Sequence, residues 1–382
     1  MDRMLSSEEA ARRLGVKLTT LYAYVSRGVL ESHRDPSSRG SLFDLSDIES
    51  LATRSRGGRQ TASRLATVTT GVTQLSLDEG PLYRGRAATS LATTMTFEEV
   101  AGLLWETEAE GDWSVPDLGD CPLSDTLERM RWAIVMCGAT DPLRADLRPM
   151  AVTRAARRVI AALVDVVGPA PIDEVASSPI AQRLAHRLAG SEPSRCAAAI
   201  DASLVLMADH ELATSTMAVR IAASVRCDPY DALAAGLVTL AGPLHGGASQ
   251  QAYELLVLAE RDGAQRALNG ALREHRFLPG FGHVVYKTGD ARFGALLSFA
   301  DTLLSAERRA LLAEVMELAA AHDVPLPNCD LGLAALSWGT GMPPDTGRTI
   351  FAVARIAGWT AHYMEELTER PLRFRARAVY AV

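Results

Sequence analysis

Gly242-Pro243-Leu244-His245-Gly246-Gly247 places one histidine where the backbone carries least bulk, between two apolar runs with helical spacing. Leu233 to Leu240 reads as a helix that Gly242-Pro243 ends, and Ala248 to Ala259 resumes the period, so His245 is expected near a fresh helix start. Such a position disfavours a charged imidazole. A neutral imidazole beside glycines, which let a ligand approach the backbone, can donate a hydrogen bond to a carbonyl oxygen becoming an enol. A helix-breaking turn whose histidine merely packs has the same local signature. Three more clusters each pair a polar group with glycine or a helix end. Asp209-His210-Glu211-Leu212 interrupts the apolar helix Ala198 to Ala208. Pro279-Gly280-Phe281-Gly282-His283-Val284-Val285-Tyr286-Lys287 is followed by Asp290-Ala291-Arg292. Pro327-Asn328-Cys329-Asp330 brings a carboxylate out of a Pro-rich loop.

The elements that must position these groups are mainly helical. The 382 residues are 48% hydrophobic, dominated by Ala, Leu and Val, with 5% aromatic residues, which favours helix and leaves room for two or three domains. A net charge of −7 argues against binding nucleic acid or anionic membrane over the whole surface, while leaving a local basic patch open. Five scattered cysteines without a CxxC fit reduced thiols in the cytoplasm better than a disulfide framework or a zinc site. The longest uncharged apolar stretch, around Leu233 to Leu244, is too short to span a bilayer.

In chain order, Ser6-Ser7-Glu8-Glu9 is a capping box opening a helix to Leu14, and Leu18 to Arg27 makes a second helix across a tight turn. Val29 to Phe43 then alternates like a β-wing, and Ser46-Asp47-Ile48-Glu49 caps a third helix. Residues 1–53 therefore resemble a winged helix-turn-helix of the MerR and excisionase type. That resemblance implies DNA contact through Thr19, Thr20, Tyr22, Tyr24, Arg27 and Arg39; protein contact is the other reading of such a module. Residues 54–64 read as a linker. Beyond it Val68 to Leu77 has strand character, Asp78-Glu79-Gly80 can turn and Leu82-Tyr83-Arg84 can return, and Thr96-Phe97-Glu98-Glu99 caps the first of many helices. The acidic stretch 106–120 and residues 168–179 read as surface loops.

Taken together and in order, GPLHGGA, GFGHVVYKTGDAR, NCD and FAVARIAGW, with DHEL upstream and YRG near residue 83, resemble the citrate synthase family from about Gly71 to the C-terminus. The resemblance implies a large helical domain (65–247 and 336–382), a small helical domain (248–335) that closes on it, and a homodimer. It implies three catalytic groups: His245 stabilising the enol of an acyl thioester, Asp330 removing its α proton, and His283 polarising the ketone of oxaloacetate. His210, Arg292, Arg355 and Arg375 would hold substrate carboxylates, Arg375 in the neighbouring subunit's site, and Lys287 would meet coenzyme A phosphate. A thioester α carbon is a feeble acid, so a carboxylate base needs a donor on the forming enolate oxygen, and the acceptor ketone needs a donor of its own. No permanent cofactor or metal is called for; acetyl-CoA is the expected co-substrate. Departures at Ala213, Val284 and Leu331-Gly332-Leu333 bear on substrate choice, leaving propionyl-CoA, giving 2-methylcitrate, as an alternative. A second alternative is a DNA-binding regulator that senses acyl-CoA or citrate through a citrate-synthase-like body.

Overall fold

The structure is a computed structural model that describes residues 4–14, 16–26, 30–34, 40–44, 47–48, 68–108, 111–168, 177–190, 192–242, 245–274 and 278–374. The chain divides into two compact units, Met1–Thr67 and Val68–Val382.

In the first unit the Ser6 box forms as expected. Ser6 donates its backbone N–H to Glu9, whose own N–H returns to the Ser6 hydroxyl, and the helix Ser7–Leu14 follows. The second helix is Leu18–Ser26, packing the fully buried Leu21 against Ala10, Leu14 and Phe43. The wing is a pair of antiparallel strands, His33–Arg34 and Ser41–Asp44. Met4–Ser6 adds a third strand on the other side of Ser41–Asp44, a pairing no local pattern announced. Thr19 and Tyr22 are exposed on the second helix, where Tyr22 donates to the Ser7 hydroxyl. Arg27, Arg39, the linker and most of the third helix lie outside the described residues.

The second unit opens with a small antiparallel sheet of Thr73–Ser76, Gly80–Tyr83 and Arg86–Ala87, in sequence order. Helices follow, beginning with Phe97–Trp105 under the complete Thr96–Glu99 capping box. The helix expected at Leu233 starts earlier, at Pro229, because Asp228 caps it and Pro229 supplies the preset first turn. Trp113 and Leu118, inside the stretch read as an acidic loop, pack against the core.

Among the described residues of this second unit two apolar cores form. The larger surrounds the 23-residue helix Thr346–Thr368, whose Ala352, Ala354 and Ala357 are fully buried. The smaller joins Ala248–Asp262, Ala264–Glu274 and Ala306–Ala321 through Leu256, Leu268 and Leu312. Helix Cys329–Thr340 belongs to both: Leu333 and Leu336 face the large core, Leu331, Ala334 and Trp338 the small one. Its first turn therefore lies where the cores meet, and Asp330 is in it.

Tyr83 fixes the approach to this region from the sheet. Its buried hydroxyl lies 3.1 Å from the carbonyls of Val205, Leu206 and Asp209 and accepts the Asp209 N–H at 3.2 Å. Tyr83→Phe would strand those groups without water, so urea unfolding is expected to show a loss of about 1–3 kcal/mol.

Candidate active site

His245 lies in the turn between helices Pro229–Leu240 and Ala248–Asp262, held by Gly246 N–H to Leu240 O and by its own N–H to Gly242 O, both at 2.9 Å. Pro243 and Leu244 lie outside the described residues. The Ser215 hydroxyl is 2.9 Å from His245 Nε2, and the Phe351 ring meets the imidazole edge-on at 5.9 Å. Burial, aided by the Arg355 charge, pushes His245 down to about 4, so the ring is neutral at physiological pH. With Ser215 donating to Nε2, the ring proton sits on Nδ1 and is available as a donor.

The two loops that carry His283 and lead into Asp330 are sewn together. Gly282 N–H bonds Leu326 O at 2.8 Å, Asn328 N–H bonds Gly280 O at 2.9 Å, and the Asn328 amide bonds Gly282 O at 2.7 Å. Gly280 must be glycine, with φ +82° and a Cβ that would lie 2.9 Å from that of Leu331. Asn328 also caps helix Cys329–Thr340, accepting the Asp330 N–H at 2.9 Å. His283 Nδ1 accepts the N–H groups of Val285 at 3.1 Å and Tyr286 at 3.3 Å, which leaves the ring's proton on Nε2. Burial, joined by the Arg292 charge, brings His283 to about 4. Tyr286 stacks on it at 4.7 Å and lies 3.1 Å through its hydroxyl from His210 Nε2. The His210 and His283 rings are 5.3 Å apart, and burial holds His210 well below its ordinary range.

Asp330 receives no hydrogen bond on its carboxyl among the described residues. Burial raises it to about 6, against the pull of Arg292. Arg292 is itself buried, clasped at both ends by Asp290 at 2.9 and 2.8 Å, and Asp290 also accepts the Cys329 N–H at 3.1 Å. One carboxylate thus ties the guanidinium to the helix that carries Asp330.

Arg355, on the long helix Thr346–Thr368, donates Nε to Met207 O at 3.0 Å and lies over the Phe351 ring at 4.5 Å. Its two terminal nitrogens are buried and have no hydrogen-bond partner among the described residues. Burial lowers its pKa, and the Asp209 carboxylate works the other way.

The motif histidines, Arg292, Arg355 and Asp330 are therefore linked: the charges of Arg292 and Arg355 both act on His210, Arg355 acts on His245, and Arg292 acts on His283 and Asp330. Lys287 is exposed and bonds back to His283 O at 3.0 Å, and Arg375 lies outside the described residues. Ser215, Asp290 and Tyr286 went unassigned in the sequence although the last two stand inside a quoted motif; only spatial neighbours reveal what they hold. Of the departures, Val284 is 87% exposed and Leu331 is buried in the small core, so the latter alters packing, while Ala213 leaves helix Thr214–Ser224 without a side-chain cap. Chemically, the arrangement offers two neutral donors, one carboxyl poised to take a proton, and a buried cation with both forks open to an anion.

Residues 113–377 match the sequence family described as citrate synthase, C-terminal domain, and residues 4–56 match a helix-turn-helix domain. The chain is 28% identical over 346 residues to citrate synthase 2 of Bacillus subtilis, covering 82% of this chain and 93% of that protein. It is 30% identical over 325 residues to 2-methylcitrate synthase of Mycobacterium tuberculosis, covering 76% and 82%. Among solved structures, citrate synthase from Thermotoga maritima superposes with a TM-score of 0.69 at 22% identity, covering 85% of this chain and 96% of that one. The ternary complex of carboxymethyl coenzyme A and oxaloacetate with citrate synthase from Thermoplasma acidophilum gives a TM-score of 0.67 at 21% identity, over 84% of this chain and 95% of that one. With the family match spanning most of its length, the chain belongs to the citrate synthase family.

Proposed function

We propose that the protein condenses an acyl-CoA with oxaloacetate and hydrolyses the resulting thioester. The observation that carries this reading is the open, buried Arg355 guanidinium, whose charge acts on the neutral imidazoles of His210 and His245. An unpaired buried cation is costly unless an anion fills the place, and a small dicarboxylate suits it. Asp330 takes a proton from the acyl α carbon while His245 Nδ1–H stabilises the forming enol oxygen. The enol carbon attacks the oxaloacetate ketone, forming the carbon–carbon bond, and the ketone oxygen takes up the proton of His283 Nε2. Water then cleaves the thioester, releasing free coenzyme A. Lys287 meets the coenzyme's phosphate, and the small core, residues 248–335, is the domain that closes over the cleft.

Release of free thiol from acetyl-CoA and from propionyl-CoA, each with oxaloacetate, tests the reading and fixes the acyl group; no release with either would overturn it. Acetyl-CoA is the substrate we expect. Ser215→Ala is expected to lower kcat about tenfold, because the His245 proton then distributes between both nitrogens and one hydrogen bond to the ring is lost. An unchanged kcat would show that Ser215 does not set the tautomer.

The working unit is a cytoplasmic homodimer in this reading. Val135, Ile221 and Val238 are 61%, 46% and 57% exposed on helices Thr126–Ala139, Thr214–Ser224 and Pro229–Leu240, the last of which packs on both others. Leu372 N–H bonds Ser224 O at 3.0 Å, so the chain leading to Arg375 leaves beside one of them. That exit suits an arginine that completes the neighbouring site. The helix-turn-helix match favours a second, compatible role: DNA binding through the helix Leu18–Ser26, in which a dimer reads paired half-sites. Salt-dependent, sequence-specific gel shifts that respond to acyl-CoA or citrate would support it, and purely nonspecific binding would remove it.

A further inference from the structure

His362, which the helical pattern alone marks as a packing residue, is the middle of a fully buried polar chain. Arg220 donates Nη1 to His362 Nδ1 at 3.0 Å. A guanidinium can only donate, so Nδ1 is unprotonated and the ring's proton is on Nε2, 3.2 Å from Asp209 Oδ2. Arg220 is itself fixed by Glu366 at 3.0 Å and by Glu365, and Arg373 closes on Glu366 from the other side. Asp209, Arg220, His362 and Glu366 are all 0% exposed.

Asp209 is the near end of this chain, next to His210 and two residues beyond Met207, whose carbonyl holds Arg355. Among the described residues its second oxygen, Oδ1, has no hydrogen-bond partner within normal geometry, just as Arg355 Nη1 and Nη2 have none, though the Thr73 hydroxyl also favours the Asp209 charge. A carboxylate and a guanidinium within each other's field normally close into a bidentate pair. Here two features hold the carboxylate back. His362 at 3.2 Å and the Glu211 N–H at 3.1 Å both retain Oδ2, His362 being the side chain of the two, and Oδ1 rests where a Cβ on Gly358 would come within 2.2 Å, a seat open only because residue 358 is glycine.

We propose that His362 is a positioning residue that restrains Asp209 from closing onto Arg355, so that the guanidinium keeps its charge yet leaves both forks for a substrate carboxylate. The inference rests on the assignment of Arg355 to carboxylate binding. Arg220 sets the ring's tautomer, and the outer carboxylates Glu365 and Glu366 set Arg220. The device separates two demands that conflict at a buried cation: a standing counter-charge, and unused donors.

The test uses the full-length protein with His362→Phe, which keeps a ring but no nitrogen, and His362→Gln, which keeps one donor and one acceptor. Oxaloacetate binding is read by calorimetry, and KM for each substrate by steady-state rates. In His362→Phe, Kd and KM for oxaloacetate are expected to rise about tenfold while KM for the acyl-CoA stays within twofold. His362→Gln is expected to restore most of the loss. Adding Asp209→Asn to His362→Phe removes the competing charge and is expected to recover oxaloacetate affinity, which a merely structural defect would not do. Equal losses for both substrates, or a double variant worse than His362→Phe alone, would overturn the proposal, as would unchanged oxaloacetate affinity in a folded His362→Phe. If the wild type binds oxaloacetate but releases no coenzyme A, the condensation reading fails and the calorimetric comparison still decides this one. A wild type that binds no oxaloacetate overturns both.

Discussion

Asp330→Asn is expected to lower kcat about 10³-fold with little change in KM for oxaloacetate, because the amide keeps the size of the side chain and loses the base. The same variant should be more stable than the wild type. Burial lifts the folded-state Asp330 to about 6, above the ordinary carboxylate range near 4. Between those values the folded protein holds more protons than the unfolded chain, so stability falls as pH rises through the window and the full penalty persists above it. Asparagine carries no such penalty. At pH 7.5 the variant should melt a few degrees higher, on the order of 1 kcal/mol, and the gap should close by about pH 4. Calorimetric melts across that range, beside rates of coenzyme A release, check both halves. The wild-type kcat/KM should fall tenfold per pH unit below about 6 as this one carboxyl protonates, with His245 and His283 joining only near 4. A full-rate asparagine variant would exclude Asp330 as the base.

Arg355→Met is the second change with a large expected effect. Methionine fills much of the same buried volume without charge, so the empty protein loses a cation whose terminal nitrogens are unpartnered. Oxaloacetate, in contrast, loses two charge-assisted hydrogen bonds, and its KM is expected to rise about 100-fold or more. Arg355→Lys should recover little of this, since a single ammonium cannot reproduce the fork. Steady-state kinetics with oxaloacetate varied, together with a melt of the ligand-free protein, reads both effects. Wild-type KM in Arg355→Met would place the carboxylate elsewhere.

Much of this site was legible in the sequence because its members stand in short, ordered motifs with glycine beside them. His245, His283, Asp330 and Arg292 stand in clusters that residue type and neighbours mark out, whereas Arg355 was named only through the resemblance to citrate synthases. The groups that hold them could not be singled out. Ser215 is 30 residues from His245, and Arg220 is 142 residues from His362, so no local period relates them. His362 looked like packing because the helix around it is apolar on every side; its polar partners come from other elements. The third strand of the N-terminal sheet was hidden for a similar reason. Met4–Ser6 is too short to alternate visibly and exists only by pairing with Ser41–Asp44. The capping boxes at Ser6 and Thr96, whose partners lie three residues apart, were readable directly.

Glu365 accepts the Gly71 N–H at 2.8 Å while also holding Arg220, so the first residues of the helical body and the close of its last long helix meet at one side chain. A body whose first residues are tied to its last long helix can gain or shed a leading segment without any strand or helix being rethreaded. Evolution could exchange the leading module for another while the machinery in the cleft stays as it is.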